Sequence, residues 1–437
     1  MKRQIALLTS VILISCVGAE CPNNNNNNNN GNSNNNNNNN NNNDSRVILN
    51  IVKLTTPSTT QRGPAVGDGV LAFNANGNAT LAWLRAGETQ PMDVPAPSGM
   101  DNDTSAFEFA GKKLVVRDRT SGSLYVFDTE TEQVAAMPAA SINMGGSGGP
   151  NLWAAEGNVV ATVNSTVTTQ NGAGLRVKMV DISDINNFVI TPFSNNPGTS
   201  NPSAIDVDAA GRRIVVRTND TFYVYDMDNP GNAPDEFTRS SLNGGTGDND
   251  VQIEGATVAF FDDNESFTLL DLVGGTFSQP TRNPGRAGRG LFFEESRFAY
   301  FAKQTADDGS NISVLNRCLA GDTSDISSLI DPTGLFVNGE NASDGRWGFG
   351  ATADISPNGR WIFVAGETIV DVNTQERLYL SEDGGDFIPV ADSSDPFNVI
   401  RAAGVSCSNN LVAFLIPVDP DAVISAVTVG YAELPPP

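Results

Sequence analysis

The chain has 437 residues, 39% hydrophobic and 17% charged, with 42 glycines and 24 prolines. That is enough apolar content for one large all-β domain or two ordinary ones, with too many turn formers for a helical fold. Its 26 basic and 50 acidic residues leave a formal charge of −24, which repels phosphate backbones and argues against nucleic acid as a partner, and histidine, the commonest general base and metal ligand, is absent.

The first element is a leader over residues 1–15. Met1–Lys2–Arg3 is a basic start, and Ile5 to Ile14 is an apolar run broken only by Thr9 and Ser10. A membrane span needs about 20 apolar residues, so this run reads as a secretory signal. Leu13–Ile14–Ser15–Cys16 resembles the bacterial lipobox, a resemblance that implies cleavage before Cys16 and a lipid on that cysteine. Val17 stands where an aspartate would imply inner-membrane retention, which points to an outer-membrane lipoprotein. Cleavage after Val17–Gly18–Ala19 is the open alternative and gives a periplasmic or secreted soluble protein.

From Asn23 to Asn43 only Gly31 and Ser33 interrupt the asparagines. Such a tract offers no apolar surface against its ordering entropy, so residues 16–45 are expected to be the lipidation site followed by a disordered linker. As a flexible coil that linker averages about 30 Å end to end.

Residues 46–437 return repeatedly to one pattern: a turn, an apolar strand, a polar turn and a second apolar strand. The clearest copies are GKKLVVRDRTSGSLYVFDTETEQ from Gly111, GRRIVVRTNDTFYVYDMDNPG from Gly211 and GRWIFVAGETIVDVNTQERLYL from Gly359. Anchor residues Val70, Leu114, Val159, Ile214, Val258, Phe298, Ile362 and Val412 mark eight copies spaced 40 to 64 residues apart. A period near 40 to 50 with four short strands per copy predicts a β-propeller of eight four-stranded blades, with seven as the alternative count. The last copy stops after three strands, at VISAVTVGYAEL, while RVILNIVKL from Arg46 is one strand too many at the front. The N-terminal strand is therefore expected to complete the last blade and close the ring.

DISPNGRWIFV from Asp354 resembles the Ser-Pro-Asp-Gly element of TolB-type and WD-like propeller repeats, with Asn358 in place of the aspartate. DVDAAGRRIVV from Asp206 is a drifted copy. The resemblance implies a propeller and no particular activity, since that fold hosts binding proteins and enzymes alike.

Asp128, Asp181, Asp226, Asp271 and Asp371 recur at the ends of apolar runs (YVFD, KMVD, YVYD, TLLD and TIVD), a recurrence that reads as structural turn formation. Gly145 to Gly149, GGSGG, matches the nucleophile-elbow spacing without the histidine that chemistry needs, so Ser147 reads as a loop serine. Oxygen-rich loops at Asp101, Asp226 and Gly247 could take Ca²⁺, although none has the full calcium-loop spacing. No other cofactor is expected. Arg282, Arg286 and Arg289 cluster in RNPGRAGRG and form the candidate ligand-binding group, suited to carboxylate or phosphate. Cys318 and Cys407 could form a disulfide only if the fold brought their blades together.

The function expected is a monomeric, lipid-anchored, non-catalytic binding or scaffolding module whose partner is an envelope protein or polysaccharide. The alternative is an envelope enzyme, a glycan hydrolase or lyase driven by a pair of carboxylates.

Overall fold

The computed structural model describes residues 47–58, 64–75, 80–100, 104–118, 120–138, 152–166, 174–197, 202–218, 221–239, 251–261, 267–278, 286–294, 297–305, 311–319, 322–329, 352–370, 373–382, 388–400, 402, 404–417 and 427–435; for 286–329 it describes the backbone alone. The leader, Cys16 and the asparagine tract lie outside these residues.

Among the described residues the chain forms eight sheets in sequence order. The first runs Ala65–Gly67, Val70–Ala75, Thr80–Arg85 and Met92–Asp93, each strand antiparallel to the next. The next five repeat this meander from Thr104–Ala110, Trp153–Glu156, Pro202–Asp208, Val251–Glu254 and Arg286–Glu294. The seventh begins at Thr352–Ile355 and the eighth at Val405–Cys407. We call the sheets blades 1 to 8. Their first strands touch in order, and the first strand of blade 8 lies against that of blade 1. The architecture is a β-propeller, with the first strands innermost.

All eight anchor residues fall in second strands, and the reason is burial on both faces. In Lys113–Asp118 of blade 2, Leu114 and Val116 pack with Val70, Trp83 and other residues of blade 1. Val115, between them, packs with Trp153 and Val160 of blade 3. Blade 4 repeats this: Ile214 and Val216 face blade 3, and Val215 faces blade 5. A strand with a neighbour on each side reads as an unbroken apolar run. Fourth strands have no such cover. Gln133–Ala136, Val189–Pro192 and Asp235–Thr238 are short and largely exposed, which makes them poor templates for unwanted pairing.

The glycine that opens each recognisable copy belongs to the hairpin between first and second strands. Ala110 pairs with Lys113 across a two-residue turn whose Gly111 has φ +62°, a left-handed value that costs glycine least. The quoted copies thus begin one strand into the blade.

The N-terminal segment does more than a single closing strand would. Val52–Ser58 pairs antiparallel with Val427–Glu433 and is the fourth strand of blade 8. Val47–Leu49 instead runs parallel to Ile388–Asp392 at the outer side of blade 7. The chain crosses between blades at Asn50–Ile51, so one continuous strand is impossible there. Leu49 and Ile51 sink into the core between blades 7 and 8, and Leu54 into the core between blades 8 and 1.

Candidate functional site

Innermost strands carry one feature that composition hides: carboxylates turned toward the next blade. In Thr104–Ala110, Ala106 and Ala110 pack toward blade 3 while Phe107 and Phe109 pack toward blade 1, and the alternation puts Glu108 on the blade 3 side. There it accepts the N–H of Ala155. Glu156 of blade 3 accepts the N–H of Ala209, in blade 4's first turn, at 2.8 Å. Asp206 and Asp208 of blade 4 accept from Ile253 and Gly255 of blade 5 at 2.8 and 2.7 Å. Asp354 of blade 7 accepts from Cys407 of blade 8 at 2.8 Å and also bonds the Ser406 hydroxyl, whose oxygen accepts from Val66 of blade 1 at 3.2 Å. In each case the acceptor belongs to one blade and the donor to the next.

Crowding these acids around one axis shifts their protonation. Burial, with Asp206 and Glu156 nearby, pushes the Glu108 carboxyl up to about 8. Asp206 is likewise pushed up to about 8, by burial first and then by Glu156 and Asp208, against the opposing pull of its backbone hydrogen bonds. Glu156 is raised for the same reasons, and burial takes Asp354 to about 6. Asp206 is half-buried, whereas the Glu108 side chain is exposed, so water offsets more of the upward push on Glu108. Among the described residues no group of three or more His, Cys, Asp or Glu side chains is placed to hold a metal ion.

The two ends of the blades differ. Connections from first to second strand and from third to fourth lie at one end; the described ones run from two residues (111–112) to eight (227–234), and several are laced by ion pairs. Arg85 bonds Glu132 and the Thr129 carbonyl of blade 2, both at 2.8 Å. Lys112 meets Glu130 at 2.8 Å, and Arg212 meets Asp228 at 3.0 Å. Connections from second to third strand and from one blade to the next lie at the opposite end. Residues 139–151, 167–173, 240–250, 279–285, 330–351 and 418–426 are outside the described residues.

The strand-ending aspartates sit in the third-to-fourth turns. Asp128 accepts the N–H groups of Glu130 and Thr131, Asp181 that of Ser183, Asp226 that of Asp228, and Asp271 that of Val273, at 2.8 to 3.2 Å. Asp226 also accepts from the Asn229 amide, and these bonds hold its carboxyl below the ordinary value. Asp371 is a correction. Trp361–Val370 is one long second strand paired with Asn373–Glu382, so TIVD ends the second strand, not the third, and Asp371 lies outside the described residues. The Ser-Pro-Asn-Gly element is a self-bonded turn: the Ser356 hydroxyl donates to Asn358 at 2.7 Å and accepts from the Trp361 N–H at 2.9 Å.

Of the arginine group, Arg282 is outside the described residues, while Arg286 and Arg289 fall on the innermost strand of blade 6, where the backbone alone is described. Of the oxygen-rich loops, 101–103 and 247–250 are outside; the loop at Asp226 uses its carboxylates within the turn and on Arg212. Cys407 is a buried thiol in the core between blades 7 and 8, so the disulfide with Cys318 does not form. Cys318 belongs to the third strand of blade 6, one blade removed.

No protein-family model and no curated protein matches the chain. Solved structures do. The computationally designed Ika8 protein is similar at 14% identity and a TM-score of 0.51, over 88% of this chain and 99% of that one. BamB from Moraxella catarrhalis is similar at 13% and 0.47, over 88% and 99%, and Sqt1 from Saccharomyces cerevisiae at 10% and 0.45, over 90% and 100%. At these identities the likeness is one of fold.

The innermost acids were missed in the sequence because they interrupt the apolar pattern. Aligning the copies on the first turn would have exposed them: Glu156 and Glu254 directly precede Gly157 and Gly255, and Glu108 comes three residues before Gly111. Chemically, Glu108, Glu156, Asp206, Asp208 and Asp354 are engaged by backbone donors of the next blade, which makes them inter-blade ties. Among the described residues, no helix is long and apolar enough to cross a membrane.

Proposed function

We propose that the chain is an exported, lipid-anchored, eight-bladed propeller that acts as a non-catalytic binding or scaffolding module at the cell envelope. The observation that carries the binding reading is the polarity of the blades: the strand ends that lead from one blade to the next lie opposite the ion-paired turns. A β framework whose blade-to-blade connections leave from one end is suited to present a recognition surface there. The partner is an envelope protein or polysaccharide met at that end, with Arg282, Arg286 and Arg289 available to its anionic groups. The lipobox-like Leu13–Cys16 and the asparagine tract supply the anchor and spacer, and an outer-membrane lipoprotein is the location this favours.

Two measurements test this reading. A photo-crosslinking residue at exposed Ser121, between the second and third strands of blade 2, is expected to give adducts with envelope components in cells. The same residue at exposed Thr131, in the third-to-fourth turn, should give none. Equal labelling from both ends would remove the basis for a one-ended surface. Cys16→Ala is expected to abolish incorporation of labelled fatty acid and release the protein from membranes; retention on the membrane would refute the anchor.

A further inference from the structure

Hydrogen bonds between blades at the axis fall into two kinds. Blades 2 to 5 are tied through ionisable acceptors: Glu108 on Ala155, Glu156 on Ala209, Asp206 on Ile253 and Asp208 on Gly255. Blade 7 is tied to blade 8 through a further ionisable acceptor, Asp354 on Cys407, and blade 8 to blade 1 through a neutral one, the Ser406 hydroxyl on Val66, a hydroxyl that also bonds Asp354. The geometry is alike, a first-strand side chain accepting an N–H from the next blade's first strand or the turn that follows it, while the response to protons is not.

We propose that the carboxyls of Glu108, Glu156 and Asp206 are acid-set latches: neutral, they hold blades 2 to 5 in turn, each to the next, and ionised together they loosen this sector of the axis while the blade 8 to blade 1 contact stays shut. Each N–H bond taken singly favours the carboxylate. Burial at Asp206, together with mutual repulsion, outweighs it: Asp206 and Glu156 act on Glu108, and Glu156 and Asp208 act on Asp206. The cations on the flanking strands are turned elsewhere. Lys113 bonds Asn158, Arg213 bonds the Gly255 carbonyl, and Arg217 bonds the Phe261 carbonyl and stacks on Phe222 and Phe260. Arg117 stands on the second strand of blade 2, opposite Ala106 rather than Glu108. Glu254 ends the first strand of blade 5, and Arg286 and Arg289 lie on that of blade 6.

The sign follows from linkage. Glu108 and Asp206 have folded values near 8 against ordinary values of 4.5 and 3.8. The folded state binds the extra protons, so their stabilisation is complete below about pH 4, is lost as pH rises through about 8, and is level above. Above about pH 7 that window is clean, Asp354 beside Ser406 having already ionised near 6. With no histidine in the chain, ordinary carboxylates already ionised and lysines still charged, only thiols and the α-amino group ordinarily titrate there.

Hydrogen exchange of the full chain reads the latches directly, as protection factors corrected for intrinsic base catalysis. From about pH 7 to about pH 8.5, peptides containing Ala155 and Ile253 are expected to lose protection about tenfold or more, and the peptide containing Val66 to keep it. In the double variant Glu108→Gln, Asp206→Asn, whose amide oxygens still accept but cannot ionise, the loss should vanish. Unchanged protection at Ala155 and Ile253, an equal loss at Val66, or a loss that persists in the folded variant would each overturn the proposal. Should the variant not fold, the comparison of the three amides in the native chain decides alone.

Discussion

Asp208 is only 1% exposed, and its two oxygens hold the Gly211 N–H of its own turn at 2.5 Å and the Gly255 N–H of blade 5 at 2.7 Å. One side chain therefore shapes a hairpin and joins two blades. Asp208→Ala would leave both donors without an acceptor in a covered site, a loss expected at about 2 to 4 kcal/mol. Asp208→Asn keeps one good acceptor and should lose about half of that. Urea unfolding at constant pH measures both; a loss below about 0.5 kcal/mol for the alanine variant would mean that water replaces the carboxylate without penalty. None of this was legible beforehand. DVDAAGRR looked like a worn repeat, and nothing in its spelling separates an acid that faces solvent from one that faces the next blade.

Strands were legible in proportion to how completely they are buried. The second strand of every blade was found because neighbours on both sides demand an unbroken apolar run, as in Leu114–Val115–Val116. First strands were harder: Glu108, Asp206 and Asp354 break the run because an edge at the axis needs ties to the next blade. Fourth strands such as Thr276–Ser278 are short and half polar, and leave almost no trace in the sequence. RVILNIVKL was recognised as an extra strand, but its division between blades 7 and 8 depends on partners far along the chain. That division makes the segment a clamp. Leu54 is 3% exposed, packed with Leu71 and Leu84 of blade 1 and Val429 of blade 8. Leu54→Ala is expected to lose about 2 to 5 kcal/mol, as for other buried leucines. Met92, a core-sized residue on an exposed fourth strand, is the control; Met92→Ala should change stability by under about 0.5 kcal/mol in the same urea assay.

On the scale of the whole molecule, charge decides what salt does. The described ion pairs between side chains are mostly exposed, and exposed pairs contribute about 0 to 1 kcal/mol each, so screening them removes little. A formal charge of −24 repels itself throughout, and screening relieves that repulsion. The second effect should win. The melting temperature is expected to rise between about 20 mM and about 500 mM sodium chloride, measured by calorimetry at fixed pH. A fall would mean that the turn-end ion pairs, such as Arg85 with Glu132, contribute more than their exposure suggests.

The clamp also sets a timetable. Val52 pairs with Tyr431 and Ser58 with Val427, so the first strands made must wait for nearly the last residues before they find partners. Local hairpins within blades 1 to 7 can form as the chain emerges, but joining the two ends brings together the most distant stretches of the polypeptide, which is slow. During that wait the molecule has two unpaired sheet edges, blade 8 without its fourth strand and the N-terminal segment itself. Lys53 and Pro57 on the waiting strand discourage wrong partners in the interval. Closure is thus the last event in this protein's assembly, and the step at which a newly made copy is most exposed to joining another.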